Sequence, residues 1–253
     1  MLGCELAGRF ALPPNSKSYC GKAGFPEILL KYLTNRNNEN ATALSKALSR
    51  FYVHYSYLSL IAKANQLNPF DKSVAEAFWI GNNLLKNVSR EEVIRLIKKR
   101  FCGRGLLAQK NANNLVAKMP FTFVAHHSFH VLHIHTVTGA VVPTTRNLDL
   151  CLPSWGRVIR ISRDYLTVKS QRLVRRNNRF YFLPCIKKLS RVCARINLLP
   201  KLEIGNLVAS HWGVAVMKIT PAQASRLKKY TKINMDAIND ANNKNTQKLS
   251  SFY

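Results

Sequence analysis

Acidic residues are what this chain has least of. Its 12 Asp and Glu stand against 39 Lys and Arg, a formal net charge of +27. So few carboxylates argue against a hydrolase built on a carboxylate pair, and Glu91 and Glu92 are accounted for by the helix N-terminus they occupy. No stretch approaches the roughly 18 consecutive apolar residues of a membrane span. A CxxC pair, a Gly-x-Ser-x-Gly turn, a P-loop and a dinucleotide fingerprint are all lacking; Cys102-Gly103-Arg104-Gly105 is too short for either of the last two. Leu2-Gly3-Cys4 ends like a lipobox, but no basic and apolar leader precedes it, so no signal peptide is expected. The six cysteines, at 4, 20, 102, 151, 185 and 193, form no regular framework. That spacing reads as reduced thiols and a cytoplasmic location.

What is present is ample apolar material, 47% of the residues, and a lopsided charge. Residues 1–150 hold 19 basic and 8 acidic residues, net +11, and residues 151–253 hold 20 and 4, net +16. The excess is denser in the C-terminal part. It speaks of partners and association rates rather than of fold.

The first half reads as helical. Pro13-Pro14-Asn15 predicts an extended or turn segment, and Pro26 suits the first turn of a helix through Tyr32. Leu44, Leu48, Phe51, Tyr55 and Leu58 form one stripe of a long amphipathic helix. Asp71 predicts a cap for Ser73 to about Leu85. Ser89 and Glu92 make a capping box for a helix through Phe101, stopped at Gly103.

From Arg157 the pattern turns to β. Asn177-Asn178 between Arg176 and Arg179 predicts a hairpin turn. Thr220, Pro221 and Gln223 mark the start of a basic helix. The expected fold is α+β: an N-terminal helical domain (1–118), a His-rich β linker segment (119–148), a small OB-like β-barrel plus helix (149–238), and a flexible tail (239–253).

Two clusters carry chemistry. Five of the seven histidines lie at 126, 127, 130, 133 and 135. On a helix His126, His130 and His133 share a face; on a strand His127, His133 and His135 do. The flanking Phe121–Val124 and Val131, Ile134, Thr136 and Val137 favour strand at both ends, with a break at the centre. His126, His127 and His130 are candidate ligands for a divalent metal, against the alternative of a polar face bonded to backbone. The second cluster is Cys151, ahead of a strand in Cys151-Leu152-Pro153-Ser154-Trp155-Gly156-Arg157-Val158, and His211 in Gly205-Asn206-Leu207-Val208-Ala209-Ser210-His211-Trp212-Gly213. Thiolate and imidazole together suit a soft or borderline metal such as iron or nickel. Arg157 and the positive field are expected to favour the thiolate. Cys185 and Cys193 read as core.

The second cluster resembles the HypC/HupF chaperones of NiFe-hydrogenase maturation over about residues 151–230. Cys151, Gly156, Arg157 and Val158 match that family's first motif, and Gly205, Val208, His211, Gly213 and Ala215 its second. Trp155 replaces the family's proline, Cys151 is internal where the family's cysteine follows the initiator Met, and the final helix is basic rather than acidic. The blocks around Pro14-Asn15, Tyr19-Cys20-Gly21, Tyr57–Ala62, Asn68–Asp71, Phe78–Asn82 and His126–Val131 resemble an uncharacterised bacterial and archaeal family, DUF6390, over the full length.

The resemblance to HypC implies a hydrogenase-maturation accessory protein, metallochaperone-like rather than an enzyme. Cys151 and His211 would hold iron carrying cyanide and carbon monoxide ligands, or another divalent metal, supported by Gly156, Arg157 and Gly213. A HypD-like scaffold and the hydrogenase large-subunit precursor would be partners. The alternative is a basic nucleic-acid-binding protein that uses the barrel and the C-terminal helix. Arg172, Arg175, Arg176 and Arg179 would meet phosphates, and Phe180 and Tyr181 would stack.

Overall fold

A computed structural model describes residues 1–103, 105–135 and 140–250, with side chains as far as residue 243. Its first helix, α1 (Gly3–Asn15), is buried along its whole length. Small residues let neighbours close on it: a Cβ on Gly3 would lie 2.0 Å from the Phe70 carbonyl oxygen. Around α1 pack α2 (Phe25–Thr34), α3 (Asn38–Leu48) and α5 (Lys72–Trp79), and α4 (Tyr52–Ala64) packs on α5. Next come a 3₁₀ turn (Asn83–Asn87), α6 (Arg90–Arg95) running into a π-helical turn (Leu96–Phe101), and α7 (Gln109–Ala117).

Several helical expectations change in detail. Pro13 and Pro14 end α1 rather than forming an extended segment, because burial on every side holds the helix through the two bonds that proline removes. The stripe from Leu44 to Leu58 belongs to two helices. They part at Ser49-Arg50-Phe51, where the Ser49 hydroxyl donates to the Lys46 carbonyl and competes with helix continuation. The helix expected from Ser73 to Leu85 stops at Trp79 and resumes as the 3₁₀ turn. Asp71 occupies its cap position, but its carboxylate accepts from the Asn68 amide instead of from the helix. The Ser89–Glu92 capping box is formed as expected.

The His-rich segment is the main correction. His127–Phe129 (α8) is a helical turn that continues as a π-helical turn, His130–Ile134, and Phe121–Val124 is not a strand. Thr136 and Val137 lie outside the described residues. β-branched and aromatic residues there signal burial, not a sheet: Phe129, Val131 and Ile134 are all core. The His126 ring caps the turn by accepting from the Ser128 amide, and Asn234 of the last helix holds Val124 through both backbone groups.

After α9 (Thr145–Cys151) come seven strands. β1 (Ser154–Ile161), β2 (Tyr165–Arg176), β3 (Arg179–Ser190), β6 (Leu207–His211) and β7 (Val214–Ile219) form a closed barrel in the order β1-β2-β3-β7-β6. β4 (Val192–Cys193) and β5 (Ile196–Asn197) make a small separate hairpin. The Asn177-Asn178 turn is formed, both residues at positive φ (48° and 59°), the pair a tight two-residue hairpin requires. α10 (Pro221–Ser250) starts at the expected Thr220–Gln223 capping box.

α10 also runs through the segment expected as a flexible tail. Its asparagines are the reason: Asn239 donates to the Phe180 carbonyl and accepts from its amide, and Asn242 donates to the Asn178 carbonyl. Residues 251–253 are outside the described set. One apolar core runs from α1 through the barrel to Tyr230 of α10. Among the described residues no helix is long and apolar enough to cross a membrane.

Charge fixes how α1 meets the barrel. Glu5 accepts from Arg9 Nε and Nη2 at 3.0 and 2.8 Å, and Arg9 Nη1 donates to the Leu198 carbonyl at 2.7 Å. Burial alone would raise the Glu5 carboxyl, but Arg36 and Arg9 outweigh it and hold it below the usual range. Glu5→Gln leaves Arg9 buried without its anion, which costs about 3–5 kcal/mol. Because the folded value is depressed, the pair's contribution is present above the usual carboxylate range and is lost as pH falls through it. Urea midpoints at pH 7 and pH 4 test this. The variant should be the less stable at pH 7, with the gap narrowing at pH 4; equal midpoints at pH 7 would refute it.

Candidate metal centre

The prolines that end α1 set up the site. Helix geometry pairs the carbonyl of residue i with the amide of residue i+4. Pro14 has no amide hydrogen, so the Phe10 carbonyl has no helical partner. His211 supplies one: its Nδ1 lies 2.7 Å from the Phe10 oxygen, a bond that puts the ring proton on Nδ1. The lone pair therefore sits on Nε2, which is buried and has no hydrogen-bond partner among the described residues.

The hairpin between β6 and β7 brings Cys151 to that lone pair. Trp212 and Gly213 form its two-residue turn, both at positive φ (49° and 75°). The Trp212 amide donates to the Leu150 carbonyl at 2.7 Å, tying the turn to the end of α9, and its side chain lines the same cavity as the Cys151 thiol. From the opposite side the helical turn of α8 delivers His127, whose Nε2 lies 3.9 Å from Cys151 Sγ.

One ligand atom from each of His127, Cys151 and His211 lies within 4.8 Å of the others. For a tetrahedral ion with bonds of roughly 2.0–2.3 Å, nitrogen and sulfur ligands stand ~3.6 Å apart. Small side-chain rotations close that difference. Trp79 floors the site, its ring 4.4 Å from His127 and 5.2 Å from His211 between centroids, and it stacks on Phe10 at 4.8 Å.

Burial sets the protonation. The Cys151 thiol is pushed up to about 12 by desolvation, only partly countered by Trp212. His211 is lowered to about 4 by burial, with the Phe10 and Cys151 backbone opposing. His127 lies well below its ordinary value, through burial first and then repulsion from His211 and His130. At neutral pH the site is two neutral imidazoles and a protonated thiol. Such a thiol is a poor nucleophile. A metal ion changes that, because coordination deprotonates a thiol outright, and neutral imidazoles are the form that ligates.

Cys151 and His211, expected together, are together. The trio His126, His127 and His130 is split. His127 joins the thiol, and His130 lines the same cavity, its ring 6.3 Å from His127. His126 is spent on the helix cap, one helical step round. Gly213 makes the turn, and Gly156 lets β1 approach β2, since a Cβ there would lie 2.8 Å from Val168 Cγ2. Arg157 is exposed and donates to the Gly205 carbonyl, so it does not favour the thiolate as expected; burial, not the field, governs Cys151. Cys193 is core, whereas Cys185 is half-buried on β3.

The basic hairpin is exposed at Arg172, Arg175, Arg176 and Tyr181, but Phe180 is buried and cannot stack on a base. Sequence reading missed Cys20, His54 and Trp79 at this site. The Tyr19-Cys20-Gly21 and Phe78-Trp79 blocks were the signal, since both stand out in the full-length resemblance.

A cavity of about 140 Å³ opens beside the three groups, walled mainly by apolar side chains such as Val53, Trp79, Val131 and Leu148. His54 and His130, also on its wall, are lowered to about 3 by burial. Histidines kept neutral in the fold destabilise it when they must charge. Stability should therefore fall as pH drops below about 6.5, by up to ~1.4 kcal/mol per pH unit for each such residue until its depressed value is reached. Urea midpoints at pH 7.5 and 5.0 measure this for the metal-free protein. An unchanged midpoint would contradict the buried, neutral assignment.

No curated protein and no solved structure matches the chain. Residues 1–245 match the family described as "Family of unknown function (DUF6390)". The chain, helical half and barrel together, belongs to that family.

Proposed function

We propose that the protein is a metallochaperone-like accessory factor of hydrogenase assembly that holds an iron-ligand unit, or another soft or borderline metal, on Cys151, His211 and His127. The observation that carries this reading is the convergence of those three ligand atoms within 4.8 Å. The wall of the cavity supports it too. Apolar side chains suit small uncharged or weakly hydrated metal ligands such as carbon monoxide and cyanide better than a hydrated ion. A five-stranded closed barrel followed by a long helix is the arrangement that the OB-like, HypC-like expectation calls for. In this reading the metal is cargo. Phe10 and Trp79 orient the imidazoles, and Cys151 gives up its proton on loading.

Cys151→Ser should abolish copurification of iron from cells grown with iron while leaving the circular dichroism spectrum intact. Equal iron content in variant and wild type would sink the assignment. Pro14→Ala tests the orienting role separately. It returns an amide to the Phe10 carbonyl, frees the His211 ring and should weaken metal affinity about 10–100-fold, as loss of an outer partner does. Unchanged affinity would show that the Phe10 bond does not orient the ligand.

The positive charge gives the partner. Arg172, Arg175 and Arg176, all exposed on β2, would dock an acidic face of the HypD-like scaffold or of the large-subunit precursor. The same face is what a nucleic-acid-binding reading would use. A pull-down at moderate salt with wild type and Cys151→Ala separates the two. A protein partner lost with the thiol supports assembly; nucleic acid retained equally by both, with log affinity falling linearly in log salt, reverses the ranking.

A further inference from the structure

Cys151, His127 and His211 make a three-ligand set with one thiolate, and a tetrahedral ion needs a fourth donor. The cavity beside them has a second thiol on its wall, Cys20. It sits in the solvent-exposed connection between α1 and α2, and three contacts place it there. Asn15, the last residue of α1, donates to the carbonyls of Cys20 and Lys22 at 2.9 and 3.0 Å. Tyr19 packs its ring on Trp212 at 4.8 Å, and Trp212 lines the same cavity as the Cys151 thiol. Gly21 turns at φ +78°, where a Cβ would lie 2.2 Å from the Phe51 ring, so only glycine lets the chain bend over this wall. The residue is exposed, and its sulfur is not among the three ligand atoms that lie within 4.8 Å of one another, so it must move inward to reach them. It lines the same cavity as Cys151, His127 and His211.

We propose that Cys20 is the fourth and exchangeable ligand of this centre. It completes a His₂Cys₂ set around a divalent ion when the mouth is closed, and it leaves that position open when the connection swings outward. The inference rests on the metal-binding reading above and adds to it a means of taking up and releasing the metal. His127 and His211 are buried and Cys151, at the end of α9, is half-buried, while the fourth stands on the exposed connection. A tetrahedral site with two nitrogens and two sulfurs suits zinc or iron. His127 and His211 are already neutral and release nothing on binding. Each thiol gives up one proton to solvent as its sulfur–metal bond forms, so the closed site releases two protons per ion and a site without Cys20 releases one.

Cobalt(II) titration of the reduced, metal-free full chain under anaerobic conditions tests this. Wild type should show sulfur-to-cobalt charge transfer from two thiolates and release two protons in weakly buffered solution at pH 7. Cys20→Ser, and Cys20→Ala as a second variant at this exposed position, should still bind cobalt, with about half the charge-transfer intensity and one proton fewer. Cys185→Ser on β3, whose thiol is not on the cavity wall, should match wild type. Full intensity and two protons from both Cys20 variants would overturn the role of Cys20 while leaving the three-ligand centre standing. No cobalt binding by wild type, or equal binding by Cys151→Ser, would overturn both.

Discussion

A single carbonyl with no helical partner organises the candidate site. Pro14 cannot donate to Phe10, and in a helix buried on every side no water is at hand to take the bond instead. The missing donor has to come from packing, and His211 provides it at 2.7 Å. That bond sets the tautomer of His211 and aims its free nitrogen toward Cys151. Two other contacts keep the geometry from drifting. Arg9, one residue before Phe10, donates to Leu198 and binds α1 to the segment that leads into β6. The Trp212 amide, one residue after His211, is fixed on Leu150. A helix break in the first half of the chain thus prepares a ligand in the second half, 201 residues away.

This dependence also explains why helical half and barrel form one core. The barrel supplies Cys151's neighbour strand and His211; the helical half supplies His127, the Phe10 carbonyl and the Trp79 floor. Neither part holds a complete centre. The barrel and its helix do not make the site alone: it needs α1, α5 and α8 as well. A thiol and an imidazole carried by the barrel alone would face solvent. Here they face a cavity whose walls come from the other half, and that burial gives them their protonation.

Local signals were legible in the sequence and tertiary ones were not. The capping boxes at Ser89 and Thr220 and the Asn177-Asn178 turn depend on neighbours a few residues apart, and they form as read. The pairing of Cys151 with His211 was readable only through resemblance, because no spacing rule links residues sixty positions apart. The histidine segment failed for a physical reason: β-branched and aromatic residues suit any buried position, and in Phe129–Ile134 that burial came with a helical turn. The asparagines of α10 misled in the opposite direction. Their composition suggests a tail, yet Asn239 and Asn242 hold the hairpin by pairing with its backbone. The place of Cys20 on the cavity wall does not follow from the sequence, since it depends on where the connection after α1 crosses the cavity.

Around the cavity, buried imidazole nitrogens stand without partners among the described residues: Nδ1 of His54, His127 and His130, and Nε2 of His211. Leaving a buried polar atom unpaired costs about 1–3 kcal/mol. A core selected for stability alone would fill these positions with leucine or phenylalanine, which pack as well and carry no such cost. The aromatic contacts do not need histidine either, because the Trp79 face accepts any flat ring. What imidazole adds is a lone pair, and at His211 the Phe10 carbonyl dictates which nitrogen bears it. Binding that engages such lone pairs returns the stability they withhold, and anything that binds only the folded state stabilises it by mass action, by ~4 kcal/mol at a thousandfold excess over Kd. At His211 the polar atom that weakens the metal-free core is therefore one that a bound metal would engage, so in the metal-binding reading loading and folding are coupled.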